Sequence, residues 1–101
     1  MDAPQLADYL LNSTPLLLDV REPWEFDICH LADSVNIPMG EIAQHLDQIA
    51  ASEQCVVLCH HGVRSMHVIQ YLQQQNIKHL INLDGGLDAW ARQIDPDMAL
   101  Y

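Results

Sequence analysis

The 101-residue sequence has little positive charge. It holds four lysines and arginines against fourteen aspartates and glutamates, a formal net charge of −10. Such a chain repels phosphate backbones and anionic headgroups, which argues against nucleic acid and membrane surfaces as partners. It also lacks long apolar runs, so we expect no membrane-spanning helix. No basic segment followed by an apolar stretch is visible, and we therefore expect a cytoplasmic protein.

Cysteine is scarce as well. The chain has only Cys29, Cys55 and Cys59. An odd number of cysteines without a secretion signal predicts free thiols rather than a disulfide framework. Half of the residues are hydrophobic and 18% are charged, which is typical of a globular chain. This length and composition predict a single domain over residues 1–101 that folds without a metal or a disulfide.

Short apolar segments alternate with amphipathic segments along the chain. Strands are predicted at residues 16–20, 34–38, 55–59 and 80–83. Helices are predicted at residues 4–11 and 41–50 and from Gly86 through Trp90, with a helical turn at 22–26. A further helix is predicted to begin at Ser65, with Met66, Ile69 and Leu72 on its apolar face. The alternation favours an α/β domain with a mainly parallel sheet. Ligands of such sheets bind at the carboxyl ends of the strands, near Asp19, Cys59 and Asp84.

The segment at residues 57–65, VLCHHGVRS, carries the strongest chemical signal. Cys59 ends a predicted buried strand, and Arg64 lies just before a predicted helix start. Converging loop amides, the helix N-terminus and Arg64 would all stabilise a thiolate over a thiol. Gly62 would let the loop turn tightly, because it has no Cβ. The segment therefore predicts a nucleophilic cysteine in a pocket shaped for an oxyanion.

Four ordered motifs resemble those of the single-domain rhodanese family. They are LDVREP at residues 18–23 with EF at 25–26, HL at 30–31 with VNIP at 35–38, CHHGVRS at 59–65, and LDGGL at 83–87 with AW at 89–90. Together they extend over most of the chain. The resemblance implies a rhodanese-like three-layer α/β domain, with helices on both faces of a central, mainly parallel sheet.

The same resemblance implies sulfur transfer. Cys59 would take the outer sulfur of a small anionic donor such as thiosulfate and hold it as a persulfide. Cyanide, a small thiol or a protein thiol would then accept that sulfur, with no metal and no cofactor. Substrate-facing positions, mainly through their main chain, would be His60, His61, Gly62, Val63 and Arg64. Supporting positions would be Asp19, Arg21 and Ser65.

Two features depart from the family pattern. His60 and His61 are only partly charged at neutral pH, where thiosulfate users often have basic residues, and this predicts weak thiosulfate affinity. Asp33 replaces a glycine, so we expect a turn conformation that aspartate tolerates. Cys29 precedes His30, where the family usually has a glycine. A second thiol there suggests the further hypothesis that Cys29 relays sulfur to Cys59 or forms a disulfide with it.

Three other functions compete with a free-standing thiosulfate enzyme. A sulfur-carrier or docking module would have Cys59 but little turnover of thiosulfate. A cysteine-dependent phosphatase would have five residues between its cysteine and arginine, whereas this loop has four. A zinc site formed by Cys55, Cys59, His60 and His61 is disfavoured, because both cysteines share one predicted strand.

The remaining polar and aromatic residues have structural interpretations. Cys55 is expected in the core, and Trp24 and Trp90 are expected as core or capping residues. His30 is expected to form a structural hydrogen bond, and Arg21 to pair with Glu22 or Glu25. Surface positions are expected for His45, His67 and His79.

Overall fold

The computed structural model describes all 101 residues, which form five α-helices, one 3-10 helix and four strands. Their order is α1 (Ala3–Tyr9), β1 (Leu16–Asp19), α2 (Pro23–Ile28), β2 (Val35–Asn36), the 3-10 helix (Met39–Gln44), α3 (Leu46–Ala50), β3 (Cys55–Leu58), α4 (Val63–Gln74), β4 (Leu80–Asn82) and α5 (Gly86–Gln93). None of the helices combines the length and the apolar character needed to cross a membrane.

The four strands form one parallel sheet in the order β2-β1-β3-β4. Asp19 at the end of β1 is in register with Leu58 at the end of β3. Asn82 at the end of β4 is in register with Val57. The carboxyl ends of three strands therefore meet at one edge of the sheet, as the sequence predicted.

Both faces of the sheet are covered, because successive strand residues point to opposite sides. Leu18 and Val57 face a core packed by α4, the 3-10 helix and α3, while Leu17 and Val56 face a second core packed by α1 and α5. Fully burying a leucine such as Leu18 contributes roughly 2 kcal/mol. The predicted three-layer α/β arrangement is confirmed.

The helix predicted at residues 41–50 is wrong as one continuous element. The chain instead forms the 3-10 helix and α3, with a break at His45, whose φ of −125° and ψ of 20° are not helical. Its apolar positions Ile42 and Ile49 are nevertheless buried. Spacing alone located the buried face correctly, and only the continuity of the helix failed.

Helix α4 begins at Val63, two residues before the predicted start. Met66 was expected on its apolar face and is 40% exposed, so that expectation is wrong. Ser65 and Val68 are buried together with the predicted Ile69, since these positions recur every three to four residues. A polar serine, expected only as the first residue of the helix, therefore lies on its buried face in place of Met66.

Several single-residue expectations can also be compared with the structure. Asp33 adopts a φ of +66°, which confirms its turn conformation. His30 Nδ1 lies 2.8 Å from the Phe26 carbonyl oxygen, in agreement with a structural role. Trp90, expected as a core or capping residue, packs against the second core; Trp24, for which the same was expected, is 60% exposed and does not lie in the core. Of the three histidines expected at the surface, His67 is exposed, whereas His45 and His79 are half-buried.

Candidate active site

The Cys59 thiol lies at the carboxyl end of β3 and is 1% exposed. Its Sγ accepts hydrogen bonds from the backbone N–H of Gly62 at 3.1 Å and of Ser65 at 3.4 Å. Both donors belong to the turn that begins α4, where the helix dipole is positive. The main chain of residues 59–65 thus surrounds the sulfur with groups that stabilise negative charge.

A chain of side-chain hydrogen bonds runs from this thiol to the next strand. The Cys59 Sγ donates to Ser65 Oγ at 3.4 Å, and Ser65 Oγ donates to Asn82 Oδ1. Asn82 Nδ2 in turn donates to Asp84 at 3.0 Å. Ser65 is fully buried, so Asn82 fixes the rotamer of its hydroxyl beside the sulfur. The structure therefore places both the hydroxyl and the backbone N–H of Ser65 directly against the Cys59 sulfur.

Two glycines allow the loop to pack closely against α5. Gly62 has a φ of +102°, which confirms the tight turn, and a Cβ there would lie 3.3 Å from the Gly85 nitrogen. A Cβ at Gly86 would lie 2.4 Å from the His60 carbonyl oxygen and 2.5 Å from that of Cys59. Since real Cβ atoms do not approach so closely, the end of β3 and the start of α5 can touch only through glycine.

Arg64 is held by Glu25 from the first turn of α2. Its Nη1 and Nη2 donate to the two Glu25 carboxylate oxygens at 2.6 and 2.8 Å. Hydrogen bonding from Arg64 lowers the pKa of Glu25 to about 2, against the opposing effect of burial. The same bond raises the pKa of Arg64. The guanidinium charge beside the loop is therefore matched by a buried carboxylate.

Asp19 and Arg21 form a fully buried ion pair, with Arg21 Nη2 2.6 Å from Asp19 Oδ2. The expected pairing of Arg21 with Glu22 or Glu25 is wrong, because Arg21 reaches only the backbone carbonyl of Glu25. Burial by itself lowers the pKa of Arg21, but hydrogen bonds to Asp19 and Tyr101 outweigh it and raise the pKa. The guanidinium also donates to the Cys29 carbonyl oxygen at 2.6 Å and so anchors the end of α2.

Tyr101 joins these two ion pairs. Its hydroxyl accepts from Arg21 Nη1 at 3.0 Å and donates to Glu25 Oε2 at 2.6 Å. Burial and the bond to Glu25 raise the pKa of Tyr101 to about 12. Its ring meets the His60 ring edge-on, with centroids 4.2 Å apart. A continuous network therefore connects Asp19 in the sheet to Arg64 in the loop.

The other loop side chains surround the thiol with little free positive charge. His60 is half-buried, and burial together with the neighbouring His61 lowers its pKa. His61 is exposed, and Val63 is an apolar side chain that is 65% exposed. The anion-stabilising groups at the sulfur are therefore backbone amides, because Arg64 is paired with Glu25 and the pKa of His60 is lowered.

The remaining cysteines lie outside this pocket. Cys55 is fully buried in β3, which confirms its core position, and burial raises the pKa of its thiol to about 12. Cys29 is half-buried, and its Sγ is 3.8 Å from Arg21 Nη1. All three cysteines are free. A surface pocket of about 760 Å³ lies at the opposite edge of the sheet, beside Leu16 and Gln54.

Three residues around the site, Glu25, Asn82 and Tyr101, were not predicted from the sequence to belong to it. Glu25 belongs to a recognised motif, but nothing local in the chain identifies Arg64 as its partner. Asn82 is a polar residue within an apolar strand segment, and a buried polar side chain needs a hydrogen-bond partner. That pattern could have identified it as a candidate site residue. Tyr101 gives no signal in the sequence, because its partners Arg21 and Glu25 lie 80 and 76 positions away.

This combination of a parallel sheet, a cysteine at a strand end and an amide-lined loop defines a class of domain. A family model described as the rhodanese-like domain matches residues 2–93. The chain therefore belongs to the rhodanese-like domain family.

Similar proteins support this assignment. The chain is 32% identical over 109 residues to the adenylyltransferase and sulfurtransferase MOCS3 of Drosophila ananassae, covering 100% of this chain and 24% of that protein. A rhodanese-related protein from Thermoplasma volcanium has a TM-score of 0.83 and 28% identity, covering 93% of this chain and 91% of its own. A rhodanese-like domain protein from Staphylococcus aureus has a TM-score of 0.81 and 32% identity, covering 89% and 88%. The chain spans about a quarter of the length of the curated relatives it matches.

Proposed function

We propose that this chain is a sulfurtransferase domain in which Cys59 carries the sulfur as a persulfide. The observation that carries the proposal is the pair of amides, from Gly62 and Ser65, that donate to Cys59 Sγ. The Drosophila relative is named a sulfurtransferase, and this chain covers only about a quarter of it. We therefore take from that name sulfur transfer alone.

The first half-reaction forms the persulfide. The Cys59 thiolate attacks the outer sulfur of an anionic donor such as thiosulfate, a bond forms between the two sulfurs, and sulfite leaves with the electron pair of the broken bond. Negative charge then lies on the terminal sulfur of the persulfide and on the departing sulfite. Preorganised amides stabilise such charge without reorganising during the reaction.

The second half-reaction returns the thiolate. Cyanide, or the thiol of a small molecule or protein, attacks the terminal sulfur of the persulfide. The bond between the two sulfurs breaks, and its electron pair returns to Cys59 Sγ as the thiolate. With cyanide the product is thiocyanate. In both half-reactions the main chain of the loop, including Gly62 and Ser65, binds the anions. Arg64 and Glu25 hold the loop in place. The Asp19–Arg21 pair holds Glu25 through the Tyr101 hydroxyl.

A variant of this function is transfer from a protein persulfide with little turnover of thiosulfate. The charges of the site favour it, because Arg64 is matched by Glu25 and the pKa of His60 is lowered. A small dianion therefore meets few free cations on a chain with a net charge of −10. Saturation with thiosulfate only at high concentration would support this variant.

The test is the intact mass of the protein after incubation with thiosulfate and then with cyanide. Wild type should gain about 32 Da and lose it with cyanide. Cys59→Ser should keep its fold and gain nothing, since serine is nearly isosteric but forms no persulfide. Cys29→Ser is the matched control and should behave as wild type. A gain of mass in Cys59→Ser, or turnover of an aryl phosphate by wild type, would contradict the proposal.

A further inference from the structure

The start of α5 brings a carboxylate to the two loop histidines. One donor atom from each of His60, His61 and Asp88 lies within 4.8 Å of the others, and we call these three residues the histidine–aspartate cluster. Asp88 is 27 positions beyond His61 in the chain, and no cysteine takes part. The cluster therefore differs from the cysteine-based zinc site considered from the sequence.

We propose that the histidine–aspartate cluster binds a divalent transition-metal ion such as Zn²⁺. Two imidazoles and one carboxylate are ligands that zinc accepts at about 2.0–2.2 Å, with a fourth tetrahedral position left for water. Imidazole nitrogens also select transition metals over Mg²⁺ and Ca²⁺, which prefer oxygen ligands.

The backbone holds two of the three ligands in place. The Asp88 N–H donates to the His60 carbonyl oxygen at 3.0 Å, and the adjacent Leu87 N–H donates to the Cys59 carbonyl oxygen at 2.9 Å. These bonds rest on the close approach that Gly86 permits. The main chains of His60 and Asp88 are thus fixed relative to each other before any ion arrives, so that only side-chain rotations have to be ordered on binding.

Only small movements of side chains are needed to close the site. Ligand atoms of a tetrahedral zinc site lie about 3.4 Å apart, so the cluster has to contract by less than about 1.5 Å from its 4.8 Å limit. His61 is exposed and free to rotate about its side-chain bonds. The His60 and His61 rings are already neighbours, with centroids 4.2 Å apart.

Arg92 competes with the ion for Asp88. Its Nε donates to Asp88 Oδ2 at 3.0 Å, in an ion pair whose arginine side chain is 65% exposed. Exposed pairs of this kind are weak, so a cation bound by three ligands displaces the guanidinium easily. Because of this competition, removing Arg92 should strengthen Zn²⁺ binding, whereas removing a ligand should weaken it.

The experiment is a calorimetric titration with Zn²⁺ alone, in the full chain carrying Cys29→Ser and Cys59→Ser. These changes remove the half-buried Cys29 thiol and the Cys59 thiol next to the cluster, since thiolates also bind zinc. One ion per chain is expected, and Zn²⁺ should shift the ring NMR signals of His60 and His61 among the six histidines. No binding in this background, or shifts confined to other histidines, would overturn the proposal. Neither result bears on persulfide formation, which is measured separately.

Two matched pairs of variants complete the test. Asp88→Asn should weaken Zn²⁺ binding at least about tenfold, since even residues that only orient metal ligands contribute that much. Asp47→Asn, on α3 at the other face of the sheet, should have no effect. Arg92→Gln should tighten binding about twofold, and Lys78→Gln, which removes the same charge elsewhere, should not. Equal affinities within either pair would contradict the proposed ligand set.

Discussion

Glu25 and Arg64 are joined by two hydrogen bonds of 2.6 and 2.8 Å that connect α2 to the loop after Cys59. The Glu25 side chain is 5% exposed and that of Arg64 is 33% exposed. Glu25 accepts two further bonds, from the Tyr101 hydroxyl and from the backbone N–H of Glu22. This buried carboxylate is therefore fully hydrogen-bonded, and it positions the first turn of α4 and the amides that face the sulfur.

Glu25→Gln should destabilise the fold and weaken sulfur transfer. An amide can accept only part of the bonding that the carboxylate provides, and Arg64 loses its counter-charge. We expect a loss of roughly 1–3 kcal/mol in the free energy of unfolding by urea denaturation. Asp27→Asn, an exposed acid in the same helix, is the control and should change it by less than about 0.5 kcal/mol. Equal effects of the two changes would show that the ion pair has no stabilising role.

Acid should remove the stability that Glu25 provides. Its pKa is lowered in the folded protein to about 2 from an ordinary value of 4.5. A lowered carboxylate pKa stabilises the fold fully above the unfolded value, and this contribution is lost as pH falls from about 4.5 to 2. Urea denaturation should show that the free energy of unfolding of wild type falls between pH 6 and pH 3. In Glu25→Gln this fall should be smaller by on the order of 2 kcal/mol. The same pH dependence in both proteins would contradict this assignment.

Gly62→Ala should damage both the loop and the persulfide step. The φ of +102° is strained for any residue with a Cβ, and the new atom would press on the Gly85 nitrogen. We expect a loss of at least about 1 kcal/mol in stability and at least tenfold in the rate of persulfide formation, because the Gly62 N–H moves away from the sulfur. Gly40→Ala is the control, since no atom lies within 4 Å of a Cβ there. A normal rate in Gly62→Ala would exclude that amide from the reaction.

Tyr101→Phe should weaken the network between the sheet and the loop. It removes the hydroxyl that bridges Arg21 and Glu25 but keeps the ring against His60. A loss of about 1–2 kcal/mol in stability is expected. In wild type, the raised pKa of about 12 means that stability falls as pH rises from 10 to 12. Ultraviolet titration should show one tyrosine ionising late, and that late step should be missing in Tyr101→Phe.

Much of the architecture could be predicted because its signals are local. The apolar segments of β1, β3 and β4 and the break before each helix are visible within a few residues. The continuous helix expected at residues 41–50 failed, since its spacing describes which positions are buried and does not require one unbroken set of hydrogen bonds. The expectation that Met66 is buried failed for a related reason. The buried face of α4 includes Ser65 instead, because its hydroxyl contacts the Cys59 thiol.

The sequence by itself determined the loop around Cys59, because the thiol, the Gly62 turn and Ser65 lie within seven consecutive residues. Only the tertiary structure decided which distant groups surround that loop. Glu25 is paired with Arg64 rather than Arg21, across 39 positions, because α2 and the start of α4 meet at the same edge of the sheet. Asn82 and Asp88 reach the loop for the same reason, since β4 lies beside β3 and Gly86 lets α5 touch it. Such contacts depend on strand order and close packing, which no local pattern of residues encodes.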